Sequence, residues 1–82
     1  MLNNAINQAI KLLNDNTLCI LSYAETGKYY LFVYGDLDKK PIFDNAMIKV
    51  DKETKIASYF IITEHLDEID KLNFKEYKGT NK

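Results

Sequence analysis

Apolar positions along the chain follow two different periods. In residues 2–13, Leu2, Ile6, Ala9, Ile10 and Leu13 recur at three- and four-residue spacing, with Asn4, Asn7, Gln8 and Lys11 on the opposite side. That is the pattern of an amphipathic helix laid on a core. Asn14-Asp15-Asn16 comes next, and Asn14 is expected to end the helix because Asn tolerates the left-handed conformation found there. The period then changes to two. Residues 17–24 (TLCILSYA) and 28–35 (KYYLFVYG) read as strands joined through Glu25-Thr26-Gly27, with Gly27 available for a positive φ. In the second strand Tyr29, Leu31 and Val33 alternate with Tyr30, Phe32 and Tyr34. Apolar residues on both faces predict a strand covered on both sides. The helix covers one side; the C-terminal segment or a partner is left to cover the other.

The same period returns in residues 46–62, AMIKVDKETKIASYFII. Two apolar runs, Ala46–Val50 and Ile56–Ile62, flank the polar segment Asp51-Lys52-Glu53-Thr54-Lys55, which predicts an antiparallel hairpin. Phe32 and Phe60 are expected to be buried, each on a strand. Residues 35–45 (GDLDKKPIFDN) are the least regular, punctuated by Gly35 and Pro41. Residues 63–72 read as a short helix with Thr63 as N-cap and Glu64, Asp67 and Glu68 at its positive end. Leu66, Ile69 and Leu72 give it one apolar edge, and Asn73 ends it. Short connections between consecutive strands favour an antiparallel meander. The expected fold is therefore α+β: an N-terminal helix packed on a four-stranded antiparallel meander sheet, followed by a short C-terminal helix. Residues 1–74 are expected to form one domain and 75–82 a frayed tail.

Composition narrows the function classes. With 82 residues and a formal net charge of −1, the chain lacks the basic surplus of a general nucleic-acid binder. All 11 cationic residues are Lys, so Arg, the usual bidentate reader of phosphate and guanine, is missing. Abundant Asn, Lys, Ile and Tyr, all with AT-rich codons, point to a low-GC bacterium or its phage. One cysteine, Cys19, excludes an intrachain disulfide and a cysteine-based zinc site. The N-terminus does not resemble a signal peptide, and the longest apolar run, Tyr29–Tyr34, is too short to span a bilayer. These features lead us to expect a cytoplasmic protein that engages neither membrane nor nucleic acid.

The segment Met47-Ile48-Lys49-Val50-Asp51-Lys52-Glu53-Thr54, followed by Ile56 and Tyr59, resembles the end of PepSY-like domains. Those share a helix followed by antiparallel strands, with a final hairpin of the form Val-Asp-x-x-Thr-Gly-x-Val. A similar hairpin closes some small bacterial toxin-immunity domains, in which a short acidic helix comes after it, and Thr63–Leu72 is similar to that helix. The resemblance spans residues 2–72. The Gly of the pattern is missing and Lys55 follows Thr54, which implies a turn one residue shorter or of another geometry. A PepSY-like domain implies binding or inhibiting a peptidase, usually outside the cytoplasm. An immunity-type domain implies neutralising a cognate protein inside the cell. Neither implies a catalytic residue.

The residues themselves offer little for catalysis. His65 is the only histidine, and Glu64, Asp67 and Glu68 around it favour a solvated ring. Cys19 sits mid-strand among Leu18, Ile20 and Leu21, the company of an inert core thiol. Asp36, Asp38 and Asp44 share one loop, but Pro41 and Met47 occupy the places where a calcium loop of this spacing needs Gly and Glu. No metal and no cofactor is expected. The six tyrosines suit a core with amphipathic edges or the centre of a protein interface. The expectation is a small non-enzymatic protein-binding domain of inhibitor or immunity type, encoded by a phage or mobile element. Its partner is another protein, bound through Tyr29, Tyr59, Glu64, Asp67 and Glu68; a homodimer is compatible with this reading. The alternative is a small-ligand sensor or accessory domain of an enzyme system.

Overall fold

The computed structural model describes residues 2–36, 38 and 46–77. Pro41 and Asp44 of the irregular stretch, and the tail beyond Tyr77, lie outside the described residues. Helix α1 spans Leu2–Leu13. Strands β1 (Leu18–Glu25), β2 (Tyr29–Asp36), β3 (Ala46–Asp51) and β4 (Ala57–Ile61) come after it. A 3-10 turn at Ile62–Glu64, helix α2 (Leu66–Asp70) and strand β5 (Lys75–Glu76) complete the chain.

The fold is α+β, as expected, but its antiparallel sheet has five strands rather than four, in the order β4-β3-β2-β1-β5. The addition comes from the segment expected to fray. Ser22 and Tyr23 of β1 pair with Glu76 and Lys75. β1 carries a register irregularity between Ile20 and Ser22 that leaves Leu21 unpaired with β2. Alternate residues of β1 turn their main-chain groups away from β2, and the Leu21 carbonyl accepts the Tyr77 N–H at 2.9 Å. Tyr77 in turn packs against the core under α1.

Period-two alternation sorts the sheet into two cores. On the α1 side, Ala5, Ile6 and Ala9 meet Ile20, Tyr30, Phe32, Tyr34, Ile48 and Val50. The short side chains of Ala5 and Ala9 let the helix backbone approach the sheet closely. Burying a side chain such as Phe32 or Ile48 contributes roughly 1.5–3 kcal/mol, and both are fully buried here. On the opposite face Leu31, Met47 and Phe60 are covered by Ile62, Ile69, Leu72 and Phe74. The C-terminal segment therefore shields the second face of β2. Phe32 and Phe60 are both buried on strands.

Turns are held largely by side chains. Asn14 ends α1 at φ 48°, with its N–H donating to the Ile10 carbonyl at 3.0 Å. In the β1–β2 turn the expected positive φ at Gly27 is not used. Thr26 Oγ1 instead accepts the N–H groups of Lys28 (3.1 Å) and Tyr29 (3.0 Å). In the β3–β4 turn Asp51 Oδ1 accepts from the N–H groups of Glu53 (2.8 Å) and Thr54 (2.9 Å). Those donors, Thr54 first, hold the Asp51 carboxyl below its ordinary value. Lys55 closes this turn at φ 62°, its N–H donating to the Asp51 carbonyl at 2.8 Å. The turn is not shortened: Lys55 holds the left-handed conformation at the place where the resembled pattern carries Gly.

The C-terminal helix differs from its expectation. Thr63 lies inside the 3-10 turn and is not an N-cap; His65 stands at that position, without a side-chain cap. Breaking the helix at His65 rotates the residues after it. Ile69 and Leu72 reach the core, whereas Leu66 turns outward and is 54% exposed.

Candidate protein-binding surface

Five side chains from four elements converge on the sheet face away from α1. Tyr29 opens β2, with its ring 5.9 Å from that of Phe60 on β4. Lys49 of β3 places its Nζ 5.0 Å from the centre of the Tyr29 ring, within the range of a cation–π contact. His65 stacks on Phe60, with ring centres 4.1 Å apart. Glu68 of α2 then ties the group together. Its Oε1 lies 3.2 Å from His65 Nδ1, and its Oε2 accepts the Tyr29 hydroxyl at 3.2 Å.

The electrostatics come from this arrangement. The hydrogen bond from His65, and then that from Tyr29, hold the Glu68 carboxyl below its ordinary value of 4.5, although partial desolvation opposes them. Burial first, and the neighbouring carboxylate second, push the Tyr29 hydroxyl above its ordinary value of 10.0. Both Glu68 oxygens are engaged, so the carboxylate acts as a clasp between α2 and the sheet.

Of the five residues expected to bind a partner, Tyr29 and Glu68 are thus brought into contact with each other. Both serve the fold. Glu64 and Asp67 are exposed on the segment that carries the clasp. Tyr59 lies elsewhere. It pairs with Ile48, whose side chain is in the core under α1, so Tyr59 belongs to the α1 side of the sheet and is 51% exposed at the β4 edge. Strand parity with buried Phe60 is the sequence signal that separates Tyr59 from Tyr29. Helical spacing assigns Leu66 to the core and so hides its outward position.

Cys19 and His65 are not brought together. Cys19 of β1 pairs with Gly35 of β2 and donates its thiol to the Asp36 carbonyl at 3.4 Å. His65 stacks beside β4, with β2 and β3 between. Among the described residues no group of three or more His, Cys, Asp or Glu is placed to hold a metal ion. His65 is half-buried against Phe60 rather than fully solvated. Among the described residues no helix is long and apolar enough to cross a membrane.

A separate groove of about 360 Å³ runs between the polar side of α1 and the β3–β4 turn. Asn4, Asn7, Gln8 and Lys11 line one wall, with Asp51, Lys52 and Lys55 on the other. Lys52 is already committed, 2.6 Å from Glu25 and over the Tyr30 ring. No family model, curated protein or solved structure matches this chain.

Proposed function

We propose that this domain binds another protein without doing chemistry, through the surface of α2. The observation that carries this reading is Leu66. It is a large apolar side chain, 54% exposed, flanked by exposed Glu64, Asp67 and Asp70. An apolar anchor within a charged rim is the usual anatomy of a protein interface. The rim is acidic, so the complementary partner surface is basic. Neutralisation of that partner, in the manner of a cytoplasmic inhibitor or immunity protein carried by a phage or mobile element, is the function we infer. Because Glu68 is bound into the fold, Leu66 and Asp67 are the residues to change. Leu66→Ser and Asp67→Lys should each weaken capture of the partner while leaving the melting curve close to that of the parent.

The groove beside α1 favours a second reading, a sensor or accessory domain for a small anionic ligand. Its amides and the Lys11 and Lys55 ammonium groups suit a carboxylate or phosphate, and Oδ1 of Asp51, the one carboxylate in the lining, is taken up by the Glu53 and Thr54 N–H groups. Co-purification of such a molecule with the native protein, and its loss in Lys11→Glu, would support this alternative.

A further inference from the structure

The two edges of the sheet are treated differently by the chain. Beyond β1 lies β5, a two-residue strand of exposed Lys75 and Glu76. Short, charged cover of this kind blunts an edge against further pairing. At the other end β4 has no strand beyond it among the described residues. Its sequence, Ala-Ser-Tyr-Phe-Ile, contains no charge and no Pro, the usual safeguards of an open edge.

Ladder parity shows what this edge offers. Lys52 N–H donates to the Lys28 carbonyl, while Asp51 N–H donates to the Ile56 carbonyl. Odd-numbered β3 residues therefore bond toward β4, and their partners Ser58 and Phe60 use up their main-chain groups on β3. The N–H and C=O groups of Ala57, Tyr59 and Ile61 point outward. Their side chains share the α1 side of the sheet, where Tyr59 is 51% and Ile61 37% exposed.

We propose that β4 pairs antiparallel with β4 of a second copy of this chain, about a two-fold axis through Tyr59, joining the two sheets into one. In that register Tyr59 faces Tyr59 of the second copy, and Ala57 faces Ile61. The Tyr59 pair exchanges both main-chain hydrogen bonds and the Ile61 N–H reaches the Ala57 carbonyl of the other copy, while the Ile61 carbonyl heads the 3-10 turn. Tyr59 and Ile61 of the two copies form one apolar stripe. A two-fold contact of one patch with itself closes after two copies, and β5 covers Ser22 and Tyr23 of the remaining edge. This inference is independent of the α2 reading, because it needs neither Leu66 nor Asp67.

Sedimentation of the full chain, from roughly micromolar to about millimolar concentration, tests the proposal. That range brackets an interface smaller than the standard ~1,600 Å². Mass rising from monomer to dimer and no further is expected. In Tyr59→Pro the lost N–H is one that faces outward, so the bonds to β3 stay intact. Tyr59→Pro should raise the dimer dissociation constant roughly tenfold or more. Ile61→Lys should do the same. A chain monomeric throughout the range overturns the proposal. So does assembly beyond two copies, or a dimer indifferent to both Tyr59→Pro and Ile61→Lys.

Discussion

The Tyr29 hydroxyl donates to Glu68 Oε2 at 3.2 Å across 39 positions of sequence. This contact fixes the five-residue helix α2, which is too short to persist by its own hydrogen bonds, onto the second face of the sheet. Tyr29→Phe removes the donor without changing ring packing on Phe60. The variant should keep its global fold while amide exchange accelerates in residues 62–74, with 18–36 and 46–51 little changed. Uniform acceleration across the sheet would show that the contact supports the whole domain instead.

The clasp also sets a pH dependence. Hydrogen bonds in the folded state lower the Glu68 carboxyl below 4.5 and the Asp51 carboxyl below 3.8. A carboxyl lowered by folding contributes stability that is fully present above its ordinary value and is lost as pH falls through the folded value. Melting temperature should therefore be level near neutrality and fall on acidification through this carboxylate range. Glu68→Gln and Asp51→Asn should each flatten that decline. An unchanged acid limb in both would contradict the assigned hydrogen bonds.

Lys55 carries a backbone cost that Gly would not. A residue with a Cβ at left-handed φ loses roughly 1–2 kcal/mol relative to its preferred conformation, and Lys55 sits at φ 62°. Lys55→Gly should raise stability by about 1 kcal/mol, after allowing for the greater freedom of Gly in the unfolded chain. For a domain of this size that is roughly a 4–8 °C gain in melting temperature. Urea unfolding with an unchanged slope would confirm that the gain is in stability. A loss of stability would mean that the Lys side chain, not the backbone, governs this turn.

The two buried phenylalanines should differ in their response to truncation. Phe32 is central and fully buried under α1, whereas Phe60 lies on the edge strand under the short C-terminal segment. Phe→Ala changes in cores cost about 3–5 kcal/mol. Phe32→Ala should fall at or above the top of that range. Phe60→Ala should fall at the bottom, because the segment above it can settle into the space. Equal losses in chemical denaturation would argue against the difference in rigidity between the two faces.

These contrasts also explain what the sequence could and could not reveal. The hairpin of β3 and β4 is legible because alternation runs through both strands and the charged turn separates them. Asn14 is legible as a stop because its chemistry permits the left-handed φ it adopts. β5 is not, since Lys75 and Glu76 carry no strand preference and pair through a tertiary contact with the outer side of β1. The break at His65 is hidden because Thr63–Leu72 has unbroken helical spacing, and the ring's stacking on Phe60 is a tertiary contact. Composition and charge single out Tyr29 and Glu68 as binding residues, but their mutual contact depends on how α2 folds back across the sheet. The parity of Tyr59 with Phe60 is enough to assign it to the other face.

If α2 presents a protein-binding surface anchored at Leu66, capture from source cells should depend on that residue. The most direct test is quantitative capture by the tagged parent, by Leu66→Ser, by Asp67→Lys and by a control, Lys11→Glu, changed in the groove beside α1. One protein should be retained in stoichiometric amount by the parent and by the Lys11→Glu control, and lost from the two α2 variants. Association rates measured with that protein should fall with added salt, and Asp67→Lys should flatten the dependence. Retention of the same protein by all four, or a small molecule in its place that only Lys11→Glu fails to hold, would contradict the assignment of the surface to α2.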